Sequence, residues 1–292
     1  MVIAAIVAFL NEEEHLPRLL ASIARQTRPP DELLLVDDGS TDASPELAAA
    51  FATMLPYVRL LTRPPRPAQR DRLAQAAELL AFQWAVQRLT VPYDVVAKLD
   101  ADIELTPEVF AAVERELEGD PRLGLTGPYL SVVGPDGRTQ REHCPPDHVR
   151  GATKFYRRRC YEDISPIAAR LGWDTLDEVK ARMHGWGTAS FAMPHGDPLH
   201  LRPTGMHDGV LRSYRRRGLA AYLYGAHPLH VILGAARRLR EPPFGIAAVN
   251  YLLGWSAAMI RRAPRPDEEI RAFIRDEQLG RIGDLVLRRR AR

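Results

Sequence analysis

Two aspartates end an apolar run in the first half of the chain. Asp100 and Asp102 follow Tyr93–Leu99, a run with the composition of a buried strand, and stand two positions apart. Two acids at this spacing at a strand end can both reach one divalent cation. Hard cations such as Mg²⁺ and Mn²⁺ take carboxylate and phosphate oxygens together, so a cation held here would neutralise a leaving diphosphate. The alternative is a pair of solvated turn acids.

Polar residues also follow two earlier apolar runs. Asp37 and Asp38 come directly after the run at 32–36, where they could accept hydrogen bonds from a base N–H or from ribose hydroxyls. An Asp/Gly turn leading into a helix would explain them equally well. Asn11 and Glu12 follow the opening run, and this asparagine is expected to cap the next helix.

Apolar runs and helical patterns alternate over the first 130 residues, and these elements must position the acids. Strand-like runs lie at 2–9, 32–36, 58–61, 93–99 and 123–133, with helical patterns at 16–23, 45–54, about 70–89 and 107–117. Four β–α units in a row predict an α/β fold with a doubly wound, mostly parallel, Rossmann-like sheet. Ligands of such sheets bind outside the carboxyl ends of the strands, so the three polar clusters should converge on one crevice.

The three clusters together resemble a known family. The segments F-L-N-E-E-E-H-L at 9–16, L-L-V-D-D-G-S-T-D at 34–42 and K-L-D-A-D at 98–102 are similar, in order and spacing, to those of the family 2 glycosyltransferases of GT-A fold. The resemblance covers roughly residues 1–210. It implies an enzyme that takes a sugar from a nucleotide-sugar donor bound in the crevice.

The resemblance also implies roles for single residues. Asn11 and Glu12 would border the nucleoside, and Asp37 and Asp38 would contact the base and ribose. The ribose and the metal–diphosphate would be bound by Asp100 and Asp102, with Asp102 the direct ligand of Mg²⁺ or Mn²⁺.

Family members carry an acidic catalytic base at the start of a helix that ends eleven residues later in Gly plus an aromatic residue. Asp174 stands eleven residues before Gly185-Trp186, although Trp173 replaces the acid usual before the base. An inverting enzyme needs one carboxylate to deprotonate the acceptor hydroxyl. A helix N-cap, with Asp177 in a variant of the capping box, is the alternative. Asp177 and Glu178 are the other candidates for the base.

A third metal ligand of this fold is often a histidine beyond the base helix. His200, at the end of a short strand-like stretch, is the candidate, with His207 as a weaker one. Three basic residues, Arg150, Lys154 and Arg202, could meet phosphate or an acidic acceptor. The Q-x-x-R-W signature of processive synthases is absent, which favours transfer of one sugar per event, most simply in polysaccharide or envelope glycan synthesis.

The sequence predicts two domains. Residues 1–224 form the catalytic domain, with a nucleotide-sugar half at 1–130 and an acceptor half at 131–224, and residues 225–292 form a helical, basic extension. From 202 to 292 the chain has 18 Arg, no Lys and 8 acids, so this part is strongly basic. The apolar stretch at 244–260 is short for a spanning helix. It is either a packed core helix or an interfacial one that lies on a membrane.

Composition indicates the class of protein and the compartment in which it works. With 292 residues, 46% hydrophobic and 26% charged, the chain is an ordinary globular protein. Two cysteines outside any C-x-x-C pair and the absence of a signal-peptide pattern predict a cytoplasmic protein, with the inner face of the membrane as an alternative site. The expected partners are the nucleotide-sugar donor, a glycan or lipid-linked acceptor, and a membrane surface if 225–292 is interfacial. No nucleic acid is expected.

Two rival functions remain open at this point. A sugar-1-phosphate nucleotidyltransferase would share the fold, but it needs a glycine-rich phosphate loop after the first strand, where this chain has F-L-N-E-E-E. A non-enzymatic basic protein that binds membranes would explain the charge asymmetry but not the acids at the strand ends.

Overall fold

The computed structural model describes residues 1–64, 71, 74–134, 136–202, 209–241 and 243–290, the last seven by backbone only. The chain forms two compact units. The first is Met1–Arg170 with His184–Pro203, and the second is Leu171–Met183 with Thr204–Arg292. The bounds of these two units reflect which parts of the chain contact one another, and they differ from the predicted division into functional domains at residue 224. That functional division stays a prediction.

Among the residues that the structure describes, the first unit holds all the strands and five helices. The strands are β1 Ile3–Phe9, β2 Glu32–Asp37, β3 Val58–Thr62, β4 Val95–Asp100, β5 Ile103–Glu104, β6 Leu123–Pro128, β7 Ser131–Val133, β8 Thr139–Arg141, β9 Thr153–Arg157, β10 Gly187–Phe191 and β11 Leu199–His200. The helices are α1 Leu16–Ala24, α2 Ser44–Met54, α3 Ala77–Val86, α4 Val109–Gly119 and α5 Arg158–Ile164.

Seven strands form the central sheet in the order β10-β6-β9-β4-β1-β2-β3. β1, β2, β3 and β4 are mutually parallel where they pair, and β10 is parallel to β6. Apolar side chains cover both faces of β1 and β2, as expected for a parallel sheet between helices. The predicted α/β class and mostly parallel sheet are confirmed.

The sheet contains two strands that the sequence did not predict, β9 and β10. β9 pairs antiparallel with β4 on one side and β6 on the other. Its sequence, T-K-F-Y-R, places Lys154 in a fully buried position. Phe155 and Tyr156 form an apolar run too short to indicate a buried strand, so this strand cannot be recognised without its neighbours.

Three other predicted elements differ in extent or role. The run at 123–133 forms two strands, β6 and β7, rather than one. The helix expected near 70–89 is α3, which covers only Ala77–Val86. Asn11 does not cap α1, because that helix begins at Leu16 and Asn11 has a left-handed backbone, with φ of 54°.

A smaller sheet has the strand order β5-β11-β7-β8. In it His200 of β11 is paired with Ile103 of β5. Asp102 directly precedes β5, and its carbonyl accepts a hydrogen bond of 2.8 Å from the backbone N–H of Leu201. This pairing brings two residues far apart in the sequence to one place.

The second unit is helical in its described part. Its helices are α6 Trp173–Met183, α7 Val210–Leu223, α8 Pro228–Arg238, α9 Ile246–Ile260 and α10 Glu268–Arg290. α7 and α9 meet backbone to backbone at two glycines. A Cβ at Gly218 would lie 1.8 Å from the carbonyl oxygen of Tyr251, and one at Gly254 would lie 2.0 Å from that of Arg215.

The helical tail predicted from residue 227 onward is confirmed. Within the described ranges, none of the helices is both long enough and apolar enough to cross a bilayer.

Candidate active site

The three predicted clusters follow β1, β2 and β4, which are neighbours and parallel in the central sheet. The register places Phe9 beside Asp37 and Ala8 beside Asp100. All three strands therefore end level at one edge, and the loops that leave them carry the polar residues. This confirms the predicted convergence at a carboxyl edge.

Asn11 ties the loop after β1 to the loop after β2. Its Oδ1 accepts a hydrogen bond of 2.8 Å from the backbone N–H of Thr41, and its own N–H donates to Oγ of Ser40 at 3.1 Å. The N–H of Glu12 donates to Oγ of Ser44 at 2.8 Å. Asn11 thus shapes the crevice wall instead of capping a helix.

The two aspartates after β2 have different partners. Oδ1 of Asp37 accepts hydrogen bonds from the N–H groups of Gly39 and Ser40 at 3.3 and 2.9 Å, which closes the turn. Oδ1 of Asp38 lies 2.7 Å from Nη1 of Arg63, and both of these side chains are buried. The turn alternative therefore accounts for part of what Asp37 does.

Asp100 is paired with a buried lysine on its own strand. Nζ of Lys98 donates to Oδ1 of Asp100 and, at 2.8 Å, to the carbonyl of Gly151. Lys98 also lies directly opposite Lys154 in the β4–β9 ladder. Asp100 keeps about a third of its side chain exposed, so it can still meet a ligand.

Asp102 is the centre of a charged cluster. Nε of Arg202 donates to Oδ2 of Asp102 at 3.0 Å, and Nη2 of the same arginine pairs with Oε1 of Glu12. Nε2 of His200 lies 3.7 Å from Oδ1 of Asp102, and Nδ1 of His200 lies 3.2 Å from Oε1 of Glu142. One basic residue thus connects the loops after β1 and β4.

The cluster sets the charge of its members. Burial raises the pKa of Asp102, but the hydrogen bond and charge of His200, with the charge of Arg202, outweigh burial and bring it to about 2. Burial lowers the pKa of His200, but Asp102 and Glu142 outweigh it and raise the value to about 9. Burial raises the pKa of Glu12 despite its contact with Arg202. Near neutral pH Asp102 is an anion beside a protonated imidazole.

Sequence reasoning missed part of this cluster. Glu142 was not singled out, and it holds both His200 and Arg150, whose Nη2 lies 2.9 Å from Oε2 of Glu142. Arg202 was one of several basic residues proposed for phosphate. Its position two residues after His200 was the signal available in the sequence, because His200 ends β11 and Arg202 follows it, and both side chains contact Asp102.

The predicted base lies in the second unit. α6 begins at Trp173, so Asp174 stands in the first turn of the helix and the N-cap alternative is wrong. Asp177 and Glu178 are buried on the same helix. The catalytic role of Asp174 stays a prediction, and His207 lies outside the described residues.

In the described part of the chain, no three His, Cys, Asp or Glu side chains form a group that could hold a metal. Asp102 and His200 offer one oxygen and one nitrogen within 3.7 Å of each other. Oε2 of Glu12 is buried and has no hydrogen-bond partner among the described residues.

Comparison with known proteins identifies the family. The sequence profile of glycosyl transferase family 2 matches residues 4–170, more than half of the chain. The chain belongs to glycosyl transferase family 2. The match includes the loops after β1, β2 and β4, so the resemblance read from these loops is confirmed, and the non-enzymatic alternative is wrong.

Relatives of this family 2 glycosyltransferase include an uncharacterized glycosyltransferase of Mycobacterium tuberculosis, 26% identical over 206 residues, which are 66% of this chain and 85% of that protein. An undecaprenyl-phosphate mannosyltransferase of Micrococcus luteus is 33% identical over 108 residues, which are 37% of this chain and 41% of that protein. The second match therefore concerns only a part of each chain.

Solved structures confirm the GT-A fold. A mannosyltransferase from Pyrobaculum calidifontis, in complex with GDP-Man and Mn²⁺, has a TM-score of 0.54 at 18% identity, covering 98% of this chain and 80% of that one. GalNAc-T7 with UDP, GalNAc and Mn²⁺ has a TM-score of 0.56 at 13% identity, covering 91% and 59%. At this identity the likeness concerns the fold.

Proposed function

We propose that this glycosyltransferase moves a single sugar from a nucleoside-diphosphate sugar to an acceptor hydroxyl, with inversion at the anomeric carbon. The observation that carries the proposal is the cluster of Asp102, Arg202 and Glu12 at the carboxyl edge of parallel strands. The guanidinium of Arg202, held between Asp102 and Glu12 at this edge, is suited to bind an anionic donor. The other acids at this edge of the sheet are suited to accept hydrogen bonds from hydroxyl groups of the donor.

The donor half of the reaction falls to the loops after β1, β2 and β4. Asn11 and Glu12 would border the nucleoside, and the turn that carries Asp37 and Asp38 would border the base and ribose. Asp100, which is partly exposed, would accept a hydrogen bond from a ribose hydroxyl. Arg202 would share the charge of the diphosphate as the bond to the sugar breaks.

Mg²⁺ or Mn²⁺ fits this donor set. Asp102 would provide one ligand, and His200 would provide a second after the metal displaces the proton of its imidazole. Mg²⁺ in particular is commonly held by one or two protein groups together with substrate phosphates. The buried, unpartnered Oε2 of Glu12 supports a cation nearby. When bound, the metal would neutralise charge on the leaving nucleoside diphosphate. The two structures of the same fold that contain Mn²⁺ support the same choice.

The acceptor half of the reaction would depend on Asp174, which would take the proton of the acceptor hydroxyl. A glycan or a lipid-linked sugar is the proposed acceptor, within envelope glycan synthesis. The names of relatives that act with undecaprenyl phosphate support a lipid-linked partner. Neither Cys144 nor Cys160 is in a disulfide bond, which supports work in the cytoplasm, at the inner face of the membrane.

The test is an Asp102→Asn variant. It keeps the size of the side chain and removes the charge, so we expect turnover to fall at least about 100-fold and Mn²⁺-dependent binding of the nucleotide to disappear. Glu104→Gln is the matched control, because Glu104 lies two residues later and pairs with Arg18 on the surface. Normal turnover in Asp102→Asn, or equal loss in the control, would contradict the proposal.

A further inference from the structure

The second unit contains a cavity of about 660 Å³ with an unusually basic wall. Four arginines line it: Arg262, Arg265, Arg271 and Arg275. Its described lining residues include no acid. A cavity of this volume accommodates a small ligand or the head group of a larger one. Four guanidinium groups around one space select for an anion that accepts several hydrogen bonds, above all a phosphate.

Two of these arginines present unused donors. The Nε atoms of Arg271 and Arg275 are buried and have no hydrogen-bond partner among the described residues. Glu268 pairs with a terminal nitrogen of each, but about two thirds of its side chain is exposed to solvent. One exposed carboxylate leaves most of the charge of the four arginines unbalanced. Buried donors without acceptors are rare in folded proteins, and a phosphate in the cavity would balance the charge of the arginines that carry them.

The rest of the cavity wall is apolar or aromatic. Tyr222, Trp255 and Met259 line it, and the guanidinium of Arg265 lies 5.1 Å from the ring centroid of Tyr222. Such a wall suits a ligand whose phosphate is joined to an apolar part. Met259 lines the cavity and is also partly exposed on α9.

The outer surface of α9 is mostly apolar, with Ser256 among its apolar side chains. α9 has no charged residue, and one stripe of it packs within the unit through Tyr251, Gly254 and Ala258. The opposite stripe is solvent-exposed and consists of Ile246, Val249, Leu252, Leu253, Met259 and Ile260. The spacing of three and four residues places these side chains on one face. Packing within the unit explains why the buried stripe is apolar. It does not explain why the exposed stripe is apolar as well.

α8 extends the same kind of surface. Leu229, Ile232 and Leu233 are exposed on it, and Val231 and Ala235 are buried on its other face. Exposed apolar side chains on two helices that pack against each other mark an interaction site. We call the exposed side chains of α8 and α9 the apolar face.

The charge around the apolar face identifies its partner. Residues 227–265 include six arginines and one glutamate. Pairing with a second copy of the chain through a two-fold axis would bring arginines against arginines, which is unfavourable. An anionic phospholipid surface offers the opposite charge above an apolar interior.

We propose that the second unit docks on the surface of an anionic phospholipid bilayer, with the apolar face in the acyl boundary and a head-group phosphate in the arginine cavity. The proposal goes beyond sugar transfer and does not depend on it. Binding to vesicles without nucleotide sugar tests it separately from the proposed function.

The experiment is sedimentation of the full chain with vesicles of phosphatidylcholine, with and without phosphatidylglycerol. We expect binding that needs phosphatidylglycerol and weakens with salt. Ile260→Glu should abolish most of it, because it puts a charge on the most exposed side chain of the apolar face. The double variant Arg262→Ala/Arg265→Ala should weaken partitioning about 25-fold, from about 1 kcal/mol per arginine.

The controls carry the same substitutions on the first unit. Met54→Glu and Arg138→Ala change residues that are equally exposed and should leave vesicle binding unchanged. If Ile260→Glu lowers the melting temperature, Ile232→Glu on α8 repeats the test. The proposal is overturned if no vesicle binds the chain, or if Ile260→Glu dissociates a dimer instead. It is also overturned if inorganic phosphate raises the melting temperature while vesicles do not bind.

Discussion

At the scale of single residues, Arg202 controls the charge balance of the donor edge. It holds Glu12 and Asp102 with two different nitrogens. Arg202→Gln would leave these acids facing each other without a cation between them, so we expect donor affinity to fall at least about tenfold. Arg202→Lys should recover part of the affinity, because lysine keeps the charge but lacks the fork. Titration with the donor nucleotide measures both, and unchanged affinity in Arg202→Gln would contradict the assignment.

Glu32 is a residue whose effect should depend on pH. It is buried at the start of β2, where it accepts hydrogen bonds from the N–H groups of Thr90 and Val91 at 2.8 and 3.1 Å and pairs with Arg59. Burial raises the pKa of Glu32, but these partners outweigh burial and lower it. The stability that its charge contributes is therefore fully present above the unfolded-state pKa and is lost as pH falls through the folded-state value.

Glu32→Gln tests this linkage. At pH 7 we expect the variant to lose about 2 kcal/mol of unfolding free energy, because the amide cannot accept from all of these donors. The difference from the natural chain should shrink as pH falls below about 4.5, the usual value for a glutamate. Denaturant unfolding at several pH values measures it, with exposed Glu116→Gln as control. A difference that stays constant down to pH 3 would contradict the linkage.

At the scale of elements, the close contact of α7 and α9 rests on glycine. A Cβ at Gly218 would lie 1.8 Å from the carbonyl oxygen of Tyr251, so Gly218→Ala must separate the two helices. We expect a loss of at least about 3 kcal/mol in the stability of the second unit. Gly280 of α10 is also helical but has open space around it, so Gly280→Ala should gain about 0.5–1 kcal/mol. Thermal unfolding of both variants measures these effects, and equal shifts in their melting temperatures would contradict the close contact of α7 and α9.

The elements also show how far sequence reasoning reaches. β1, β2 and β4 were predictable because each contains at least three apolar residues in succession and ends in a polar turn, and those turns carry the site residues. β9 was not, because its apolar residues are only Phe155 and Tyr156, and only pairing with β4 and β6 shows that it is a strand. Arg202 and Glu142 were hidden for a related reason, because the contacts that define them join distant parts of the sequence.

At the scale of the whole molecule, the residues proposed for the two halves of the reaction belong to different compact units. The donor edge lies in the first unit, and α6 with Asp174 belongs to the second. Each unit has its own buried core. Because the proposed roles are divided in this way, donor binding and acceptor activation should respond to different substitutions.

Asp174→Asn provides that test. Without a carboxylate to take the acceptor proton, we expect turnover to fall about 100- to 10,000-fold, while the donor nucleotide with Mn²⁺ should still raise the melting temperature as it does for the natural chain. Glu269→Gln is the control, because Glu269 is likewise an acid in the first turn of a helix of the second unit. A variant that keeps its turnover would transfer the role to Asp177 or Glu178. A variant that loses donor binding as well would place Asp174 in the donor site instead.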